Sequence, residues 1–541
     1  MRYWVLRLGL LISFGLLLTV VFRLSVIKHQ YFKMRARDNK IVTSVIPAAR
    51  GVIYDSKDRV VAKSVYNYFK IEEGGGKLYE GVGDFDGFKF EGKDLAYELK
   101  RHYPYGEALS MLSGWVGEVD ADEIKNDWCE MSLRMEDVVG KMGVESVMDC
   151  RLRGSNGERL IEVDAKGDYV RELGRLEPEM GEDLKLSIDA YWQEKVYRMV
   201  SEYGKKVVVI MSRPKSGKIL VLVSTPSFDA NAFSYDRNDE AIESYLSDVD
   251  NRPLINRAIG SLFQPGSVFK LVMATAGLEE GVVGVETEIE DTGVIKVGEY
   301  RYTNWLWNRG GGTEGMVNVI KGLKRSNDIY FYRVGEGLGV DKINKWSKNF
   351  GYGEETGVEL TGELAGVVPD EEWKIRIKGE KWYLGNTYHL SIGQGDLNVT
   401  PLQVNQMTNV IASGGKRCQM SLVEEKESDC VDLKIETGSL VAVTEGMKQA
   451  CKTGGTAWPL FNFKAELACK TGTAEVGDGS GDTHAWLTAF GPVDNPEISI
   501  TVLVERGGEG SDIAAPIVGD ILKEWFDEPE TVVPRYEKDW D

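Results

Sequence analysis

Three short motifs stand in order along the 541 residues: Ser267-Val268-Phe269-Lys270, Ser326-Asn327-Asp328 and Lys470-Thr471-Gly472-Thr473. Each places a hydroxyl beside a lysine or a carboxylate. A serine hydroxyl is a weak nucleophile until a base takes its proton, and a lysine serves as that base when burial or a second cation lowers its pKa. Ser267 follows Pro265-Gly266 and opens the run Val268, Phe269, Leu271, Val272, Met273, Ala274, Ala276, Leu278, which stops near Gly281. A run apolar on nearly every face predicts a helix buried in a core. At its first turn Ser267 and Lys270 share one face. Lys470 is the candidate second cation.

Context separates these motifs from their look-alikes. Ser-x-x-Lys also begins at Ser25, Ser212 and Ser413, and Lys-Thr-Gly recurs at Lys452. Alone, a Ser-x-x-Lys is usually a helix-capping serine and a snorkelling lysine. Ser25 lies in an apolar N-terminal segment, Ser212 in a turn with Pro and Gly, and Ser413 before Gly-Gly. Lys452 follows a helical stretch at 440–450, so its glycines mark a helix stop. Lys470, by contrast, lies in a strand-like run from 465. Further strands are predicted at 484–493, 498–505, 207–210 and 219–223, with an amphipathic helix at 513–526. One antiparallel sheet of about five strands results, its Lys470 strand bordering a cleft. Gly472 would let a substrate backbone approach closely.

Ser-x-x-Lys, a second motif of the Ser-x-Asn kind and Lys-Thr-Gly, in this order, are known from β-lactamases and penicillin-binding proteins. The chain resembles a class B penicillin-binding protein, a monofunctional peptidoglycan D,D-transpeptidase. Family-like stretches are Arg50-Gly51-Val52-Ile53-Tyr54-Asp55, Gly117-Glu118-Val119-Asp120, Pro226-Ser227-Phe228-Asp229, Asn256-Arg257-Ala258-Ile259, Gly393-Gln394-Gly395, Thr400-Pro401-Leu402-Gln403 and His484-Ala485-Trp486. Asp328, where division-type members carry Asn, is similar to the elongation-type branch, penicillin-binding protein 2.

The resemblance implies an α+β chain with a membrane anchor, an extended mixed pedestal and a transpeptidase domain. It implies that Ser267 attacks the penultimate D-Ala carbonyl of a stem peptide and that Lys270 takes its proton. Ser326 would relay a proton to the leaving amine, and Asp328 would tie Lys270 into the network. Lys470 and Thr473 would hold the substrate carboxylate. Thr471 and Gly472 complete that substrate-binding strand, and the N–H groups of Ser267 and Thr473 would form the oxyanion hole. An amine from a neighbouring stem then resolves the acyl-enzyme. Resolution by water would instead make a D,D-carboxypeptidase or a β-lactam-hydrolysing or sensing protein on the same fold. A septal transpeptidase and a scaffold acting through the pedestal are further alternatives. Implied partners are stem peptides, β-lactams, the membrane and a polytopic SEDS-type glycan polymerase. No cofactor is expected.

The formal charge of −20 argues against nucleic acid as a partner. The uninterrupted apolar run 8–22 is short for a bilayer needing about 20 residues. Extended to 4–27, with Arg7 and Arg23 snorkelling, it spans. Val20-Val21-Phe22-Arg23 offers no small-x-small cleavage site, so the segment is expected to be an uncleaved anchor. Arg2 and Arg7 precede it, whereas Arg23, Lys28, Lys33, Arg35, Arg37 and Lys40 follow it. A literal positive-inside count would keep the large domain in the cytoplasm. The resemblance overrules that count and puts a single-pass protein in the cell (inner) membrane with an extracytoplasmic catalytic domain. The expected organisation is 1–27 cytoplasmic stub and anchor, 28–185 pedestal or dimerisation-type domain, 186–527 transpeptidase domain and 528–541 acidic tail. Within the pedestal a strand is predicted at 52–54 and a helical patch at 95–99. An irregular spacer is its bland alternative.

All six cysteines follow the anchor. With the domain outside the cytoplasm, an even number suggests disulfides among fifteen pairings. Pairing in order, Cys129 with Cys150, Cys418 with Cys430 and Cys451 with Cys469, competes with buried free thiols. Cys469 and Lys470 point to opposite faces of their strand, which turns Cys469 toward the helix ending near Cys451. Some elongation-type relatives bind zinc just ahead of the second motif. Between Ser267 and Ser326 this chain has no Cys and no His, so no metal is expected. His29, His102, His389 and His484 are scattered and expected to be structural, with His484 placed to orient cleft residues.

Overall fold

The computed structural model describes residues 2–38, 40–71, 77–83, 95–129, 133–135, 137–163 and 169–526. The acidic tail expected at 528–541 lies outside the described residues. The chain divides into two compact units.

One unit comprises Met1–Gly51 and Arg153–Glu182. Helix Arg2–Phe22 runs on through a π-helical turn, Arg23–Ile27. Tyr3–Ile27 is thus a 25-residue helical stretch of mean hydropathy 2.4. At 1.5 Å per residue it reaches about 37 Å, enough for a hydrocarbon core of about 30 Å. Beyond it, strand Gly157–Val163 pairs antiparallel with Ile41–Ile46 on one side and Tyr169–Leu176 on the other.

The second unit comprises Val52–Leu152 and Asp183–Asp541. Strand Val60–Ile71 pairs antiparallel with Lys77–Gly83 and with Leu95–His102. The helical patch expected at 95–99 is therefore a strand. Leu, Ala, Glu and Lys favour a helix locally, and cross-strand pairing overrides that preference. The strand's buried Arg101 meets buried Glu145 at 2.6 Å.

The remainder is a sheet between helices. Its main elements are α1 (Ala190–Ser201), β1 (Val207–Ser212), β2 (Ile219–Ser224), α2 (Lys270–Glu279), α3 (Val319–Arg325) and α4 (Asp328–Asn349, interrupted at Gly339). They are followed by α5 (Pro401–Ala412), α6 (Thr437–Ala450), β3 (Ala468–Glu475), β4 (Thr483–Gly491), β5 (Ile498–Val504) and α7 (Ala515–Trp525). The five strands lie in the order β2-β1-β5-β4-β3, all antiparallel, which leaves β3 at an edge. Alternate residues go to opposite cores. Val207, Val209 and Met211 pack with Val196 and Val200 of α1 and Ile517, Val518 and Ile521 of α7. Val208 and Ile210 join the core that holds Val268, Phe269 and Leu271. Burial on both faces explains why β1, β2 and β5 are nearly continuous apolar runs.

Helix α5 is buried at every position. Thr400 and Gln403 form a capping box at its start, with Pro401 in the first turn, where a missing N–H costs nothing. Its polar side chains are answered by the sheet. Ser212 Oγ donates to Asn405 Oδ1 at 2.6 Å, and Thr408 Oγ1 lies 2.6 Å from Thr488 Oγ1. The hydroxyl of the look-alike Ser212 is thus spent on structure.

The cysteines pair in chain order, Cys129–Cys150, Cys418–Cys430 and Cys451–Cys469. The last bridge fastens the end of α6 to the start of β3, one residue before Lys470. Chain-entropy bookkeeping for loops of this size gives about 3 kcal/mol each.

Candidate active site

Ser267 lies in a single 3₁₀ turn, Gly266–Phe269, that leads into α2. The expected α-helix thus begins one turn tighter. In a 3₁₀ turn residues i and i+3 eclipse, which brings Ser267 and Lys270 onto one line. Ser267 is half-buried and Lys270 fully buried. Two glycines seat this turn on β3. Gly266 has φ +56°, and a Cβ there would come 2.7 Å from Thr473 O. A Cβ at Gly472 would lie 3.0 to 3.2 Å from Trp486, Val268 and the Pro265 carbonyl. The missing side chain of Gly472 thus makes room for the Ser267 turn. A third glycine secures the turn from behind, since Gly266 N–H donates to Gly393 O at 2.8 Å.

Ser326 ends α3 in the left-handed conformation, φ +55°, ψ 39°, an uncommon state for a residue with a Cβ. Asn327 follows as the cap of α4, its Oδ1 accepting the Tyr330 N–H at 2.9 Å. This turn aims Ser326 and Asp328 at the two lysines. Lys270 Nζ donates to Ser326 O at 2.8 Å, to Ser326 Oγ at 3.3 Å and to Asp328 Oδ1 at 2.6 Å. From the other side Lys470 Nζ donates to Ser326 Oγ at 2.9 Å and to Thr471 O at 2.9 Å. One hydroxyl therefore joins two fully buried amines.

Burial dominates the electrostatics of both lysines. It lowers the Lys270 pKa, and the Asp328 carboxylate opposes that shift. Lys470 lies well below the ordinary lysine value, first through burial and then through the charge of Lys270, with Asp328 partly opposing. The two amines share the Ser326 hydroxyl, so the charged form of each disfavours that of the other, while Asp328 sits against Lys270.

Ser326 is hydrogen-bonded to two buried lysines, with the half-buried Ser267 three residues before one of them, which is an arrangement suited to serine acyl transfer. Residues 207–523 match the family model for the penicillin binding protein transpeptidase domain. The chain belongs to the penicillin-binding protein transpeptidase family. Residues 85–186 match the penicillin-binding protein dimerisation domain. The peptidoglycan D,D-transpeptidase MrdA of Haemophilus influenzae is 28% identical over 98% of this chain and 92% of its own length. Among solved structures, the PBP2 of Helicobacter pylori in complex with MreC has a TM-score of 0.77 at 27% identity, covering 90% of this chain and 99% of that one. A chain from a peptidoglycan synthase complex that coordinates polymerization and crosslinking has a TM-score of 0.79 at 27% identity, covering 98% and 99%.

In this penicillin-binding protein the other expected site residues take distinct places on β3. Thr473 is half-buried and its Oγ1 donates to Glu509 Oε2 at 2.8 Å. Thr471 Oγ1 donates to Thr456 Oγ1 at 2.7 Å, so its hydroxyl is engaged within the protein. His484 packs edge-on against Phe263 at 5.1 Å and its Nδ1 accepts the Arg506 N–H at 3.4 Å. Burial lowers its pKa. It buttresses the segment leading to Ser267, as does Trp486, whose Nε1 donates to Gln264 O at 3.1 Å. Sequence reasoning missed Thr456, Glu509, Arg325 and Asp291. Each reaches the site through a contact between distant segments, and no local spacing marks it.

Proposed function

We propose that this chain is a membrane-anchored peptidoglycan D,D-transpeptidase of the elongation type, acting outside the cytoplasm on D-Ala-D-Ala stem peptides. The observation that carries the reading is the Ser326 hydroxyl, within 3.3 Å of Lys270 Nζ and 2.9 Å of Lys470 Nζ, where Lys270 follows the half-buried Ser267 by one short turn. Asp328 in place of Asn supports the elongation branch.

Ser267 Oγ adds to the penultimate D-Ala carbonyl while its proton passes to Lys270, whose lowered pKa increases the neutral fraction at working pH. The oxyanion is met by the N–H groups of Ser267 and Thr473, and pre-placed donors of this kind contribute about 3 kcal/mol each. When the tetrahedral centre collapses the C–N bond breaks. The departing D-Ala amine takes a proton relayed from Lys270 through Ser326. Lys470 and the Thr473 hydroxyl hold the substrate carboxylate, and Thr471 and Gly472 hold that strand against the Ser267 turn. An amine of a neighbouring stem then attacks the ester, loses its proton along the same relay and frees Ser267 with a new amide. Penicillins would acylate the same serine.

The Tyr3–Ile27 span supports anchoring, and the likeness to a synthase-complex chain supports a glycan-polymerase partner. The test is incubation of the full chain with polymerised glycan bearing pentapeptide stems. Cross-linked dimers with one D-Ala released per link are expected, and none from Ser267→Ala. D-Ala release without cross-links would make the protein a carboxypeptidase and refute the proposal.

A further inference from the structure

Asp291 is a carboxylate only 3% exposed that the proposed reaction does not use. It ends the short strand Ile289–Asp291, between the first and second motifs. Its Oδ1 accepts the Gly293 N–H at 2.8 Å. Its Oδ2 accepts from three groups: Asn304 Nδ2 at 2.6 Å, the Glu314 N–H at 2.9 Å and Asn327 Nδ2 at 2.8 Å. All four donors are neutral. A carboxylate withdrawn from water is costly unless such donors meet it, and once met it holds them with charge-assisted strength. The nearby charged groups, Glu314 and Arg325, pair with each other at 2.8 Å.

One of the clamped donors matters to the site. Asn327 is the centre of the second motif, and its amide is fixed at both ends: Nδ2 on Asp291, Oδ1 on the Tyr330 N–H that opens α4. Its neighbours are the left-handed Ser326 and the Lys270 partner Asp328. Rotation of the Asn327 side chain would release both the α4 cap and the peptide geometry that aims these two residues. We infer that Asp291 is a positioning residue for acyl transfer, holding Asn327 so that Ser326 and Asp328 meet Lys270 and Lys470. The inference rests on the transpeptidase reading for the reaction it serves.

The substitution Asp291→Asn tests it. An uncharged amide oxygen holds three donors more weakly than a carboxylate oxygen does, and its NH₂ would confront another donor. With Asn327 released, Asp328 draws away from Lys270. Lys270 is faced by Asp328 and the Phe331 ring from α4, Ser326 from the preceding turn and Lys470 from β3. Of these only Asp328 raises its pKa, so the acid limb of the acylation rate moves to lower pH. In full-length protein labelled with fluorescent penicillin, Asp291→Asn is expected to slow acylation about ten- to hundredfold. The fraction of molecules finally labelled stays at the wild-type level, and the acid limb shifts down. Unlabelled wild type would refute the transpeptidase reading itself. Against labelled wild type, an unchanged acid limb refutes the role of Asp291, as does a rate loss matched by a smaller labelled fraction. Should Asp291→Asn not fold, Asn304→Ser decides. It keeps a capping hydroxyl for helix Trp305–Gly310 and removes one donor from Asp291. It should slow acylation about fivefold, one hydrogen bond's worth, with the same downward shift, and an unmoved limb overturns the inference.

Discussion

The same tripeptide occurs twice in this chain, as Lys470-Thr471-Gly472 and as Lys452-Thr453-Gly454, with opposite fates. Lys470 is fully buried on edge strand β3, with no carboxylate partner among the described residues, its amine on Ser326. Lys452 is exposed at the end of α6, paired with Glu466 at 2.7 Å. The first is an amine pushed far from its ordinary pKa, and the second is a solvated ion pair of little energetic weight. Burial, rather than the letters, gives the motif its chemistry. Yet the second copy is no bystander. Gly454 O accepts from Arg325 Nη1 at 2.9 Å, Thr456 accepts from Thr471, and Cys451 bonds to Cys469. The helix stop thereby braces the residue before Ser326 and the residues on either side of Lys470.

The contrast is broken most directly at Lys470. Lys470→Met should cut penicillin acylation about 10²- to 10³-fold, as loss of a pre-placed donor does, while raising Tm by about 2 °C. The sign follows from linkage. A lysine depressed in the fold binds fewer protons than in the unfolded chain, so stability is diminished below the unfolded pKa and recovers as pH rises toward it. A lower Tm together with wild-type acylation would erase the distinction between the two lysines.

The next effect concerns pH. Asp328 holds the Lys270 pKa up against burial, so Asp328→Asn should displace the acid limb of the acylation profile downward and slow acylation about tenfold or more through lost orientation. A limb at the wild-type pH would detach Asp328 from Lys270. The bracing role of the second copy is read by Cys451→Ser with Cys469→Ser. About 3 kcal/mol of stability should be lost by chain-entropy reasoning, together with several-fold slower acylation in the molecules still folded. Denaturant unfolding and labelling at matched folded fraction measure the two parts. Thr456→Val, which removes one hydrogen bond from Thr471, should cost about fivefold. Last, Lys452→Met should leave acylation within about twofold of wild type, and a larger loss would mean that both lysines act in the reaction.

Much of this was legible from sequence because the signals were local and periodic. The strands at 207–212, 219–224 and 498–504 announced themselves as apolar runs broken by turn residues, and the three motifs include Lys270, Ser326, Asp328 and Lys470, which hydrogen-bond to one another. The strand–helix geometry of 451 and 469 likewise turned the two sulfurs toward each other. The failures have one physical origin. Leu95–His102 has helical composition and becomes a strand because Val60–Ile71 offers a partner. The packing of Gly472 against Val268 and Pro265, some two hundred residues away, is a second contact that no spacing encodes. Asp291, Thr456 and Arg325 act across loops, through contacts that no spacing encodes.

The central claim is that Ser267, activated inside the Lys270–Ser326–Lys470 cluster, forms a covalent acyl-enzyme. Intact mass and peptide mapping of full-length protein treated with fluorescent penicillin measure it most directly. One long-lived adduct on the Ser267 peptide in wild type and none in Ser267→Ala is the predicted result. An adduct that persists in Ser267→Ala, or that maps to Ser326, would contradict the account.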